Sequence, residues 1–596
     1  MIALDIEVLP NYFLLVIKSV KTGNVKQFEM LGVETSMNSN DRRNIKYLLT
    51  KHSSFGFNSN KYDIPLINYM LDCATCNDIY KASCNIIKNR LPDFITYRTY
   101  EITNNKFDHI DLIEPAPAVM VSLKNYGARI GSKKLKDFYL DPHTEIEAKQ
   151  LDEFRCYCIN DVDTTIDLYN HIKDRIQLRK DMMNNMYSGI RDLRSLSDAQ
   201  TAEAIFLFEL GINKPKPAKV PKTITYSAPD FIEFKSDELN MLLYTMCNTE
   251  IPVNQGNGQP ILPKEWTPLL KYKIGNTIYK IGLGGIHSQE KKLVVESDDE
   301  YVLRNADIAS MYPSIILLMG LYPLSCGRKF LDVYNDIYTT RLKAKISGDS
   351  IVNGGLKIAL NGSYGKLGSK YSFLYAPELM LSVTLTGQLM MLMLIEELND
   401  KGFNVVSSNT DGIEVKVLRS RLEEYEAIIF DWELTTGMNM EHGEYKALYA
   451  RDVNNYVAKY DGYVKAKGAY AETSLMKGRN TPIVYIAIRE YINSAKPLET
   501  TIRECKDINE FIAARNVKGG GCYKGNQIGK TVRWYYSING DTINYCSNGN
   551  LVPKTSDGNG VVPVMDLPEE IPFDLDYEWY INEAVSKLED LGVNYE

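Results

Sequence analysis

Val302 and Leu303 open an apolar run that ends on Asp307, and Pro313 follows soon after. Proline has no N–H to give a sheet ladder, so the run reads as a buried strand whose chain leaves the sheet just beyond Asp307. A carboxylate is thereby placed at a strand end. There it either caps the next helix or takes part in chemistry. Partners elsewhere in the chain decide between the two.

A chain of 596 residues is too long for one core, and roughly three to five domains are expected. The formal charge of −8 argues against a surface coated in positive potential, although a nucleic-acid groove needs only a local basic stripe. Forty tyrosines supply stacking faces with polar tips, useful against bases and equally at home in ordinary cores. Ten cysteines occur without the regular framework of a secreted disulfide protein, and Met1 to Glu7 contains no basic leader or long apolar segment. A soluble protein of a reducing compartment is expected, with Cys73, Cys76 and Cys84 as free buried thiols rather than zinc ligands.

At the start of the chain Ile2, Leu4 and Ile6 alternate with Ala3, Asp5 and Glu7, the pattern of a strand. Asp5 and Glu7 then project from one face, where they repel unless a proton or a hard cation lies between them. A second segment delivers Asn58 and Asp63 after another apolar stretch. In a third, Tyr157 and Asp161 stand at i, i+4 on one helix face.

In this order the segments resemble the exonuclease motifs of family B DNA polymerases, members of the DEDD proofreading group. The resemblance implies that Asp5, Glu7, Asp63 and Asp161 are catalytic, that Asp5, Glu7 and Asp161 hold metal, that Asn58 touches DNA, and that Tyr157 orients the attacking water. Ser122 and Leu123, with Lys136 downstream in a basic run, resemble the residues that hold a single-stranded 3′ end; a solvated basic turn is the competing reading. His109 reads as a structural histidine. Residues 213–221, rich in Pro and Lys, mark a boundary. Beyond it, Gly284 and Gly285 resemble the Tyr-x-Gly-Gly connection that contacts template, with Gly282 at the tyrosine position.

Asp307-Ile308-Ala309-Ser310-Met311-Tyr312-Pro313-Ser314-Ile315 resembles motif A of the same family, D-x-x-S-L-Y-P-S-I. The resemblance assigns metal binding to Asp307 and the Ile308 carbonyl and nucleotide binding to Ser310, Met311 and Tyr312. Tyr312 would exclude a 2′-hydroxyl. Lys357, Asn361 and Tyr364 fall at i, i+4, i+7 on one helix face, a cation, an amide and an aromatic able to meet one nucleotide. They resemble motif B, K-x-x-x-N-S-x-Y-G, with Gly362 at its serine and Gly365 at its end. Arg341 and Lys345 share another face and resemble the residues that grip the triphosphate.

Two β-rich runs around Asp411 read as a hairpin resembling motif C, Y-x-D-T-D. Ser407 and Asn409 replace its tyrosine and first aspartate; Asp411 matches the second. Tyr456, Lys467 and Gly468 resemble the K-x-Y region that contacts the primer end, with Asn454 in place of its lysine. Residues 525–536 fail as a P-loop, since Lys524 stands where glycine is needed, and read as a basic loop near duplex backbone. Residues 574–591 read as an amphipathic helix.

The expected fold is α/β and α+β multidomain: an RNase H-like exonuclease (1–195), a linker and N-terminal palm region (196–295), a ferredoxin-like palm (296–335 and 369–453), helical fingers (336–368) and a mixed thumb (454–596). The expected activity is DNA-dependent extension of a nucleic-acid primer with 3′–5′ proofreading, using two Mg²⁺ per active site with Mn²⁺ as substitute. Primer–template DNA and dNTPs are the expected partners, with replication accessory proteins and no membrane. A monomer in the cytoplasm of a phage-infected bacterial host is expected. Two alternatives stay open: protein priming, disfavoured by the short spacings around motif B, and a degenerate primer–template binder, suggested by Asn409.

Overall fold

The computed structural model describes residues 1–117, 121–553, 555 and 560–595. The N-terminal sheet comprises β1 (Ile2–Leu9), β2 (Tyr12–Ser19), β3 (Val25–Leu31), β4 (Ser54–Gly56) and β5 (His109–Asp111) in the order β3-β2-β1-β4-β5. β2 runs antiparallel to both neighbours, whereas β4 and β5 run parallel to β1. This is the RNase H-like α/β arrangement. Both faces of β1 are covered: Ile2, Leu4 and Ile6 enter one core, and Ala3 enters a second with Phe154, Cys158 and Val162. Three helices bear on function here: α1 (Asp63–Leu71), α2 (Leu123–Ile130) and the long α3 (Leu151–Asp181).

A capping box of Ser197 and Gln200 starts α4 (Asp198–Leu210). The central sheet is built from β6 (Lys271–Ile274), β7 (Thr277–Lys280), β8 (His287–Ser288), β9 (Tyr301–Ile308), β10 (Asn404–Asn409), β11 (Gly412–Leu418) and β12 (Met440–Tyr445). Its order is β12-β9-β11-β10-β8-β7-β6. Between β9 and β10 the chain forms α5 (Met311–Met319), α6 (Lys329–Ser347), α7 (Ser350–Leu367) and α8 (Pro377–Asp400). α8 is long and apolar enough to cross a membrane by length and composition, but 83% of its apolar window is buried in the core. Burying each Leu or Met there is worth about 1.5–3 kcal/mol, which accounts for its composition. The helix Leu422–Thr436 lies against it, Trp432 Nε1–H donating to the Met390 carbonyl at 3.0 Å.

The C-terminal region has its own core, formed by the sheet β13 (Ala513–Tyr523), β14 (Asn526–Asp541), β15 (Ile543–Tyr545) and β16 (Val561–Pro563) with the helix Tyr577–Asp590. The cysteines depart in part from expectation. Cys522 and Cys546 form a disulfide where β13 meets β15, while Cys73, Cys76 and Cys84 are free, with Cys76 buried as expected, Cys84 half-buried and Cys73 exposed. Strand register brings the pair together, and register is not visible in cysteine spacing.

Candidate active sites

Two separate carboxylate centres stand out among the described residues. In the first, α3 carries Tyr157, Cys158 and Asp161 across the face of β1 that bears Asp5 and Glu7. Ligand atoms of Asp5, Glu7 and Cys158 all lie within 4.8 Å of one another. Asp63 joins from the first turn of α1, its Oδ1 accepting the Ile6 N–H at 3.2 Å. Burial is the chief cause that raises these carboxyls, and neighbouring carboxylates add to it: Asp5 lies well above its ordinary value, Glu7 at about 8 and Asp63 at about 7. Burial likewise lifts Asp161 to about 6, with Lys124 pulling the other way. The Cys158 thiol is pushed up by burial and by these acids, and its Sγ lies 3.8 Å from Asp5 Oδ2. Crowded hard oxygens beside a protonated thiol suit Mg²⁺ or Mn²⁺ better than a thiolate-seeking metal.

Asp111 shapes the loop that presents Asn58. Its carboxylate accepts the N–H groups of Asn58 (2.8 Å), Asn60 (3.0 Å) and Ile113 (3.1 Å). Asn58 is held at φ 59°, a strained value for a residue with a side chain, with that side chain exposed. His109 sits between the hydroxyls of Ser54 and Ser59, and burial depresses its imidazole to about 3; it is structural. Ser122 caps α2, accepting the Asn125 N–H at 3.3 Å, and Leu123 is half-buried. Lys136 is exposed, whereas Lys133 and Lys134 in the same basic run pair with Glu569 and Asp566 of the C-terminal region.

Sequence reasoning missed Lys124. Its Nζ lies 4.2 Å over the Tyr157 ring, 4.0 Å from Asp161 Oδ2 and 2.7 Å from Asp137 Oδ1. Nothing local separates it from the other lysines of that segment. Asp111 was missed for the same reason: it acts on a loop distant in sequence.

The second centre lies where β9 meets the β10–β11 hairpin. Asp307 pairs with Gly412, and the Ile308 N–H donates to the Asp411 carbonyl at 2.7 Å. A Cβ on Gly412 would stand 2.1 Å from Asp307 Oδ1, so the glycine after Asp411 permits the close approach. Burial, then Asp411, raises the Asp307 carboxyl; burial raises that of Asp411, and the Lys467 ammonium lowers both. Ser310 and Thr410, beside these carboxylates, hold positive φ of 53° and 60°. The side chains of Ile308 and Met311 are buried, which leaves only their backbone for a ligand.

Two helices bring their residues to this point. Arg341 on α6 donates to Ser310 Oγ at 2.8 Å, and Tyr364 on α7 packs on Tyr312 with ring centroids 4.4 Å apart. Lys357 and Asn361 are exposed on the same face as Tyr364. Lys345 pairs at 2.5 Å with Glu441, a residue that sequence reasoning missed and that lies opposite Asp307 in β12. Gly362 packs so tightly on α4 that a Cβ would come 2.7 Å from the Asp198 carbonyl, which explains the missing serine.

The departures in motif C have a structural role. Asn409 Nδ2 donates to the Val453 carbonyl at 3.1 Å, tying the hairpin tip to the turn before Tyr456. Ser407 donates to Glu290 at 2.8 Å. Neither replaces a member of the carboxylate pair. Gln388 holds Gly282 through both its N–H (2.8 Å) and its carbonyl (3.0 Å), and Gly285 packs on Thr410 at the hairpin tip. Gly284 and Gly365 have open space where a side chain would project. Tyr456 accepts the Lys467 N–H on its carbonyl, and Gly468 at φ 67° packs against Asn454 and Asn455.

At this second centre a strand-end carboxylate pair is faced by cationic and aromatic helix residues, an arrangement able to hold divalent cations beside a phosphate-bearing ligand. No protein-family model matches the chain. It is similar to DNA polymerase 1 of the archaeon Saccharolobus solfataricus, at 28% identity over 164 residues, covering 27% of this chain and 18% of that protein. Under a fifth of that relative's length is therefore matched. Among solved structures, that of a family B DNA polymerase from the hyperthermophilic archaeon Pyrobaculum calidifontis aligns over 100% of this chain and 78% of that one, at 14% identity and a TM-score of 0.40.

Proposed function

We propose that the chain is a DNA-dependent DNA polymerase that extends a nucleic-acid primer and edits with a 3′–5′ exonuclease. The observation that carries the reading is the approach of Asp411 to Asp307, close enough to raise its carboxyl, with the Tyr312–Tyr364 stack and Arg341 on Ser310 alongside. Asp307 and Asp411 would hold a Mg²⁺ pair, as Asp5, Glu7 and Asp161 would in the exonuclease, each pair supplying charge stabilisation for in-line displacement at phosphorus. Arg341 and Lys357 bring positive charge to the triphosphate, and Asn361 and Tyr364 orient the nucleotide. Asn58, Tyr157 and Lys124 position the 3′ end to be trimmed. Replication of a phage or mobile-element genome by a monomer in a bacterial cytoplasm completes the proposal. The deciding experiment is primer extension on a primed template with Mg²⁺ and dNTPs, wild type against Asp411→Ala.

Tyr312 supports a steric role, because its ring is packed on Tyr364 near the Asp411 carboxylate. Tyr312→Ala is expected to raise ribonucleotide incorporation ~10-fold or more relative to deoxynucleotide. Single-nucleotide insertion with matched ribo- and deoxynucleotides measures it; an unchanged ratio removes the role.

The raised exonuclease carboxyls set a pH dependence. A carboxyl whose value is raised on folding stays protonated while the unfolded chain ionises, so metal-free stability falls as pH climbs from the ordinary carboxylate range toward about 8. Metal binding displaces those protons, so its stabilising effect grows over the same window. Thermal melts at pH of about 5.5 and about 8 should show Mn²⁺ raising the melting temperature by a few degrees more at the higher pH. Asp5→Asn with Glu7→Gln should erase the difference. Equal Mn²⁺ effects at both pH values would contradict the assignment.

A further inference from the structure

The C-terminal region is fastened to the segment that follows α2. Arg533, fully buried, donates to the carbonyls of Ser132, Lys133, Val564 and Met565, and Arg479 donates to the Arg129 carbonyl at 3.1 Å. The β13–β14 hairpin reaches further. In its ladder Gly529 pairs with Gly521 and Thr531 with Asn516, with an irregularity between, and the Lys530 N–H points instead to Asp137 Oδ2 at 2.9 Å. Gly529 makes this approach at φ 119°, and a Cβ there would stand 2.7 Å from the same oxygen. The other oxygen of Asp137 accepts Lys124 Nζ at 2.7 Å, and that ammonium lies over Tyr157 and beside Asp161.

We propose that Asp137 is a positioning residue through which the β13–β14 hairpin holds Lys124 in the exonuclease centre, so that this centre is complete only while the hairpin is docked. The inference rests on the exonuclease reading. A lysine on a flexible four-carbon stem does not keep one position unaided. A carboxylate pinned at one oxygen by a backbone N–H presents the other at a fixed point. Both groups facing Asp137 are donors, so an amide in its place can satisfy only one of them and turns its own N–H groups toward the other. The Lys124 ammonium supplies positive charge where an anionic 3′ end must approach several carboxylates.

The test uses the full chain and a single-stranded oligonucleotide, with Asp137→Asn altering one side of the contact and Gly529→Ala the other. Each variant should lower kcat for trimming about tenfold with little change in KM, as expected when a charged group is misplaced rather than removed. Extension of a matched primer by Asp137→Asn should stay within about twofold of wild type. Lys124→Ala combined with Asp137→Asn should trim no more slowly than Lys124→Ala alone, because the two act as one unit. Hydrogen exchange in metal-free buffer supplies a readout apart from activity: the Lys530 amide should lose protection in Gly529→Ala. Wild-type trimming in both variants, with trimming still lost in Asp5→Ala/Glu7→Ala, overturns the inference. Slowed trimming with additive double-mutant effects and full Lys530 protection overturns it equally. A wild-type protein that does not trim at all overturns the exonuclease reading instead.

Discussion

Asp411→Ala is expected to slow primer extension by at least about 10³-fold while the protein keeps its fold. The effect is large because Asp411 stands beside Asp307 at the strand end, where its charge raises the Asp307 carboxyl. In the proposed reaction, loss of one would halve the pair that holds the cations against the transferred phosphate. Unfolding would not explain the loss: burial raises the Asp411 carboxyl and Asp411 in turn raises Asp307, so the pair repels in the metal-free protein. Removing one member should leave the melting temperature unchanged or slightly higher. Extension of an end-labelled primer measures the rate; a variant within tenfold of wild type would sink the polymerase reading. An inactive wild type would favour the primer–template binder, which Asn409 alone suggested. The contact of Asn409 with Val453 speaks against that, since its amide braces the hairpin rather than standing in for a metal ligand.

Replacing both Asp5 and Glu7 by alanine should abolish 3′ trimming, again by at least about 10³-fold, and leave extension of a matched primer intact. The separation follows from architecture. Asp5 and Glu7 stand on β1 in the N-terminal sheet and Asp307 on β9 in the central one, and the two sheets share no strand. Within the first centre the carboxylates of β1 are irreplaceable, because they face α3 side by side and Asp63 and Asp161 approach them from other elements. A mismatched 3′ end assayed without dNTPs measures trimming. Persistent trimming would refute the assignment, and joint loss of both activities would mean that the substitutions act through folding.

Much of this arrangement was legible in the chain. The alternation at β1, the break after Asp307 imposed by Pro313, the spacing of Lys357, Asn361 and Tyr364, and the polar tip at Asp411 are all local patterns, and each lies on the expected element. Buried Met311 marks one limit, since a motif position states nothing about which way a side chain turns. The basic run after α2 marks another: two of its lysines are paired with acids of the C-terminal region, whose docking site no local signal announces.

Sequence alone therefore determined which strands and helices carry the candidate site residues, because backbone periodicity and the lack of a proline N–H act within a few residues. Tertiary structure decided who meets whom. Lys124 finds Asp137 and the Lys530 amide, Lys345 finds Glu441, Asn409 finds Val453, and Cys522 finds Cys546. Each of these contacts depends on sheet order, register or domain docking, and a bond of 3 Å reach between distant segments exists only once the cores that hold those segments have packed.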